Sequence, residues 1–279
     1  MNKTKIDWCD STWNPVTGCL HGCEYCYARG IAHRFGGFTE LEDTDLDYEK
    51  ICGSNIVEIE KPLKYLNDKG KIGKSPYPFF FKPTLYRYKL NEPQKWKQGR
   101  NIFVCSMADL FGSWVPDSWI EEVFAACEKA PQHNYLFLTK NPVRYSLLQG
   151  KGKLIKKPNM WYGNSITNKE QMEIADYETG LLGGKAKTFF SIEPLLEDIT
   201  QSEYWKNSCG KWYMDWVIIG AETGTRKDKI VPERKWIENI VNDCKKEDIP
   251  LFMKSSLADI WGEPLIQELP EELKRGGTE

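Results

Sequence analysis

Six segments of the chain repeat one pattern, a short apolar run that breaks into polar residues. They are NIFVCSMADLF (101–111), NYLFLTKNP (134–142), MWYGNSITN (160–168), KTFFSIEPLL (187–196), DWVIIGAETG (215–224) and IPLFMKSS (249–256). IDWCDSTW (6–13) and YPFFFKPTL (77–85) are weaker copies. Runs that are apolar at nearly every position belong to strands covered on both faces, which means parallel strands joined by helical crossovers. Helices fit between them. The stretch 117–130 opens after Pro116 and puts Ile120, Val123, Phe124 and Cys127 on one side; 232–246 does the same with Trp236, Ile237, Ile240, Val241 and Cys244. Residues 26–35 also read as helix. Six to eight such units in 279 residues predict an α/β fold. The form expected is a single-domain (β/α) TIM-type barrel, complete or partial, with parallel strands and loop insertions near 36–76 and 143–158. No Gly-x-Gly-x-x-Gly turn opens a strand–helix unit, which argues against a dinucleotide-binding sheet.

Barrel enzymes gather their active sites at the C-terminal ends of the strands. Those positions carry Ser106, Asp109, Thr139, Lys140, Asn164, Ser165, Glu193, Glu222 and Lys254. Each alone can serve as a helix cap or loop residue; the recurrence is what points to a site.

Cys19, Cys23 and Cys26 lie in TGCLHGCEYCYAR, spaced Cys-x3-Cys-x2-Cys with Tyr25 before the last. Thiolates are soft ligands for zinc, copper or iron–sulfur centres. Three of them are one ligand short of a closed tetrahedral site. His21, His33 or Cys9 can complete a structural zinc site, while a compact loop can instead wrap one face of an iron–sulfur cube and leave the fourth iron open. A two-cluster ferredoxin needs further cysteine motifs, which are absent. The chain holds 9 cysteines, an odd count that, with no export signal behind MNKTKIDWCDS, argues for metal binding in a reducing, cytoplasmic setting.

A net charge of −2 gives no global case for nucleic-acid binding, and no apolar stretch is long enough to expect a membrane span. Charge is local. Residues 40–49 hold six acidic residues, expected as a solvated turn or cover. Residues 140–157 hold six basic residues and no acidic one, and 82–100 hold six against Glu92 alone. Basic loops with Tyr86, Tyr88 and Trp96 among them can grip phosphates and stack on bases, or simply be solvated faces.

The cysteine spacing resembles the radical S-adenosylmethionine superfamily. Further blocks make the chain similar, more specifically, to the phage Gp37/Gp68-related family, a domain of unknown function. They are IDWCDSTWNPVTGCLHGCEYCYARGIAHRF, IFVCSMADLFG, FLTKNP, WYGNSIT, SIEPLL, WVIIGAETGTR and PLFMK. Many members carry a longer insertion before the second cysteine and Asn where this chain has Cys105. The resemblance implies a [4Fe-4S] cluster on Cys19, Cys23 and Cys26, with S-adenosylmethionine chelating the open iron. It implies reductive cleavage to a 5'-deoxyadenosyl radical that abstracts hydrogen from a substrate, and an external one-electron reductant such as flavodoxin or ferredoxin. Tyr25, Ser106, Asp109, Asn164, Ser165 and Glu193 are then the candidate cofactor-binding residues. Cys105, Lys140 and Glu222 are the candidate catalytic ones, Cys105 as a hydrogen-atom donor. Lys254 is a further anion-binding candidate. The substrate expected is a small molecule or a nucleic-acid component. The rival expectations are a zinc-dependent nucleic-acid-binding or structural protein and a simple iron–sulfur electron carrier.

Overall fold

The computed structural model describes residues 2–37, 53–66, 72–184, 186–210, 214–224 and 226–274. Seven parallel strands follow one another in sequence order: β1 (Ser11–Trp13), β2 (Asn101–Val104), β3 (Asn134–Thr139), β4 (Met160–Ile166), β5 (Lys187–Ile192), β6 (Val217–Ile219) and β7 (Leu251–Met253). Asn2–Lys3 pairs antiparallel on the outer edge of β1. The sheet curls into a half-barrel, the partial form of the expected fold. All of the strong apolar runs became strands. Of the run 77–85, only its end joins a strand, Thr84–Tyr86.

Helix α1 (Tyr27–Arg34) follows the loop after β1 and borders the C-terminal ends of the strands, packing Ala28 and Ala32 against Phe81 and Met107, while α2 (Asp117–Glu128), α3 (Val143–Gly150), α4 (Lys169–Leu182), α5 (Glu203–Gly210) and α6 (Arg234–Lys246) cover the outer face. In α2 the extended backbone of Pro116 starts the helix, Asp117 sits in the positive first turn, and Trp119, Ile120, Val123, Phe124 and Cys127 are buried along one side. In α6, Ile237, Ile240, Val241 and Cys244 do the same, and Lys245 and Lys246 face the negative end. The insertion expected near 143–158 is thus partly a crossover helix, α3. Between β1 and β2 the chain makes a three-stranded sheet from Val16–Thr17, Thr84–Tyr86 and Val57–Ile59. The acidic stretch 40–49 lies outside the described residues.

Side chains alternate between the two faces of each strand. Outward residues such as Val104, Phe137, Tyr162, Phe190, Ile219 and Met253 pack under the helices. Inward ones, Phe103, Leu136, Trp161, Phe189, Ile218 and Phe252, form a separate aromatic-rich floor with Trp8 and Trp216. Gly163 faces this floor, and a Cβ there would come within 2.3 Å of the Phe189 ring. The C-terminal segment closes the bottom, where Trp216 Nε1 donates to Glu268 O (3.0 Å) and Asn101 Nδ2 to Leu273 O (2.8 Å).

Candidate functional site

Above the floor the half-barrel opens into a cavity of about 370 Å³ at the C-terminal ends of the strands. The loop that follows β1 carries the three cysteines onto its wall, and all three line it. Local geometry sets that path. Gly18 has φ +87°, and a Cβ on it would meet Lys82 O at 2.3 Å, so only glycine lets the chain pass. Gly18 N–H then donates to Met107 O (2.9 Å) and Cys19 N–H to Phe81 O (3.3 Å). At the other end Cys26 caps α1, its Sγ accepting from the Arg29 N–H at 3.4 Å.

At the end of β4 strand parity separates Ser165, which reaches the cavity, from Asn164, which does not. Tyr25, Ser106, Asp109, Lys140, Ser165, Glu193, Glu222 and Lys254 all line it. Two of the expected site residues do not. Asn164 is one register step from Ser165 and turns outward, where its Nδ2 donates to Thr179 Oγ1 of α4 (2.7 Å). Cys105, at φ +58°, is buried in the outer core with Trp13, Val16 and Leu85, and burial pushes its thiol up to about 12.

The lining residues form separate groups. Lys140 Nζ donates to Ser165 Oγ (2.8 Å) and lies 5.3 Å from the centre of the Tyr25 ring. Lys254 pairs with Glu193 across β6, where Gly220 leaves the room: a Cβ there would stand 3.1 Å from Lys254 Cδ and 3.2 Å from Glu193 Cγ. Glu222 is gripped at both oxygens by Arg226 (2.7 and 2.8 Å), which holds its carboxyl below the usual range. Asp109 is fully engaged. It accepts from Phe111 N–H (3.0 Å), Thr139 Oγ1 (2.8 Å) and Lys140 N–H (2.9 Å), and meets His21 Nε2 at 2.7 Å.

No group of three or more His, Cys, Asp or Glu side chains among the described residues is drawn together around a metal position. The donor set nevertheless suits an iron–sulfur cluster: three soft sulfur donors on one wall of an open cavity. Burial pushes the Cys19 thiol up to about 12, with Asp109, Cys23 and Cys26 adding to it, a cost that a bound cation would reverse. The three candidate side chains for closing a zinc site have other contacts. His21 Nε2 is on Asp109, His33 stacks on Phe80 at 5.6 Å, and Cys9 packs against the floor.

A family model described as "Protein of unknown function (DUF5131)" matches residues 3–269. The chain belongs to that family. No curated protein matches the sequence. Among solved structures, this member of the family is similar to spore photoproduct lyase complexed with dinucleoside spore photoproduct. The TM-score is 0.56 at 9% identity, over 90% of this chain and 78% of that one. A point variant of the same lyase with the same dinucleoside gives 0.55 at 10% identity, over the same shares. At such identity the likeness is one of fold.

Several residues of the site carried no signal in sequence. Asn14 Oδ1 accepts from Ser106 Oγ (3.2 Å) and Met107 N–H (3.0 Å), and Tyr27 OH donates to Ser106 O (2.7 Å). Arg226 was visible only as a base four residues after Glu222. The basic runs, conversely, are less available than their composition suggests. Arg144, Lys151 and Lys153 converge on Asp117 (2.7, 2.8 and 3.5 Å), Lys157 meets Glu128 (2.6 Å), and Arg87 meets Glu58, Glu60 and Glu122 (2.8, 2.5 and 2.9 Å). Among the described residues no helix is long and apolar enough to cross a membrane.

Proposed function

We propose that the chain is a single-domain radical S-adenosylmethionine enzyme of the kind its resemblance to the phage Gp37/Gp68-related proteins implies. Cys19, Cys23 and Cys26 would hold a [4Fe-4S] cluster. The observation that carries the reading is the placement of all three cysteines on the wall of one strand-end cavity that also presents Lys140, Ser165, Glu193 and Lys254. A cluster held there, reduced by an external one-electron donor such as flavodoxin or ferredoxin, would supply the electron for cleaving the sulfonium C–S bond of S-adenosylmethionine to methionine and a 5'-deoxyadenosyl radical.

The chain's own residues then bind, orient and shield. Lys140 has a hydroxyl and a ring around its ammonium, an arrangement suited to a carboxylate or phosphate; Ser165 and Tyr25 flank it. The Glu193–Lys254 pair offers an acceptor beside a donor on the side of β5 to β7. Trp8, Phe103 and Leu138 give the cavity an apolar base that keeps water from reactive species. Asp109 and Glu222 act as supports, and Cys105 has no role at the reacting atoms because it faces the outer core. For the substrate we propose a nucleic-acid component, in a cytoplasmic enzyme. The dinucleoside in the structurally similar lyase favours that class over a free metabolite.

Anaerobic reconstitution tests the reading. The expected product is a brown protein with about four irons per chain, an electron paramagnetic resonance signal that changes when S-adenosylmethionine is added, and 5'-deoxyadenosine. Tightly held zinc with no iron uptake would overturn it. Deuterium transfer into 5'-deoxyadenosine from labelled oligonucleotides or nucleosides tests the substrate class.

A further inference from the structure

The cysteine loop has an unusual means of support. Among the described residues, its backbone bonds to the barrel end at Gly18 and Cys19; within residues 20–26 the only backbone–backbone bond is the internal one from Cys26 N–H to Cys23 O. Helix α1 then takes over at Tyr27. The seven residues between are short of main-chain ties, yet they carry two of the three thiols to the cavity.

Each gap between cysteines supplies one polar side chain that reaches across to a different end of the sheet. His21, between Cys19 and Cys23, meets Asp109 at 2.7 Å beyond β2, edge-on to Trp114 at 4.9 Å. Asp109 is itself fixed by Thr139 and Lys140 at the end of β3. Glu24, between Cys23 and Cys26, meets Arg226 NH1 at 3.3 Å, and Arg226 is forked onto Glu222 beyond β6. The loop is thus tied toward opposite flanks of the cavity. We infer that His21 and Glu24 are positioning residues: through Asp109 and through Arg226–Glu222 they hold the loop that carries the three thiols against the cavity wall, so that the thiols have only a short way to close on a metal. This rests on the reading of the cysteines as metal ligands.

The two ties differ in strength. The Asp109 carboxylate is 7% exposed and accepts three hydrogen bonds besides the histidine, so His21 binds to a rigid partner. Glu24 is 81% exposed, and an ion pair of that kind contributes little. Removing His21 should therefore disturb the thiols more than removing Glu24. Arg226 should fall between, because its loss also leaves the buried Glu222 carboxylate without its cation.

The test uses Co(II) added to the full-length apoprotein, read by its thiolate charge-transfer absorption, and iron retained against a chelator after anaerobic reconstitution. His21→Ala and Asp109→Asn are each expected to lower Co(II) affinity about tenfold or more, with the double variant no worse than either single one. Arg226→Met should cost less, Arg226→Lys should restore part of the loss, and Glu24→Gln should cost at most about fivefold. Since Asp109→Asn also removes loop supports, His21→Ala is the variant that decides if Asp109→Asn does not fold. Unchanged Co(II) spectra and iron retention in His21→Ala and Arg226→Met would overturn the inference while leaving the metal-ligand reading intact. If the wild-type chain binds neither Co(II) nor iron through the three cysteines, both fall together.

Discussion

The inner and outer faces of the same strands do different work, and a single register step separates them. Ser165 looks into the cavity and receives the Lys140 ammonium, while Asn164 turns out to Thr179 on α4. The inner face passes upward from an aromatic floor to charged side chains, Phe189 to Ser191 to Glu193 on β5 and Phe252 to Lys254 on β7. The outer face is mostly apolar, and the thiols in the layer it makes with its helices, Cys105 after β2, Cys127 on α2 and Cys244 on α6, are buried. Residue type alone therefore does not assign chemistry at a strand end; parity does.

The largest expected effect contrasts a thiol on each side of the wall. Cys23→Ala should abolish iron binding and S-adenosylmethionine cleavage. Cys105→Ala should leave iron content near wild type and cost only about 1–2 kcal/mol in urea unfolding, the scale of a small cavity in a packed core. Loss of the cluster in Cys105→Ala would break the distinction between the faces.

That distinction explains what was legible in sequence. The strands were, because doubly covered strands are apolar at almost every position and leave a continuous signal. The same continuity hides which residues point inward. With no polar–apolar alternation to set the phase, Asn164 and Ser165 look alike until the neighbouring strands fix their register, Asn164 opposite Phe190 and Ser165 opposite Ser191. Cys105 was harder still, since its left-handed backbone interrupts alternation at the end of β2. The cysteine spacing was readable because its three thiols are close in sequence. The supports of that loop were not: Asp109 is 88 residues from His21, and Arg226 is 202 from Glu24.

A glycine on the inner face sharpens the comparison by geometry alone. In Gly163→Ala the new Cβ must displace the Phe189 ring, from 2.3 Å, in a floor packed on all sides. A destabilisation of about 1–3 kcal/mol is expected by urea denaturation. Gly220→Ala meets only the flexible parts of Lys254 and Glu193, at 3.1 and 3.2 Å. It should cost less than about 1 kcal/mol while weakening S-adenosylmethionine or substrate binding, measured by calorimetry on the reconstituted enzyme. Equal stability losses in the two variants would mean that floor and rim are packed alike. Lys140→Met, which removes the ammonium beside Ser165, should reduce binding of S-adenosylmethionine without a comparable loss of stability.

The smallest effect concerns a lysine on the other side of the sheet. Lys89 lies with its ammonium 3.9 Å from the centre of the Tyr86 ring, and burial lowers it to about 8. An unfolded chain keeps this group protonated to roughly pH 10.4. Between those values the unfolded state binds the extra proton, so stability must rise with pH across about 8 to 10 and be lost again as pH falls through 8. The full shift sets an upper limit of about 3 kcal/mol, and partial solvent access brings the expected gain nearer 1 kcal/mol. Above pH 10 the tyrosines oppose it, since burial raises Tyr86 and Tyr88 in the folded state. Lys89→Met should flatten the rise between pH 8 and 10 in urea titrations and lift stability at pH 7. If wild type and Lys89→Met show the same slope, the ammonium is hydrated in the folded protein and the outer layer there is open to water.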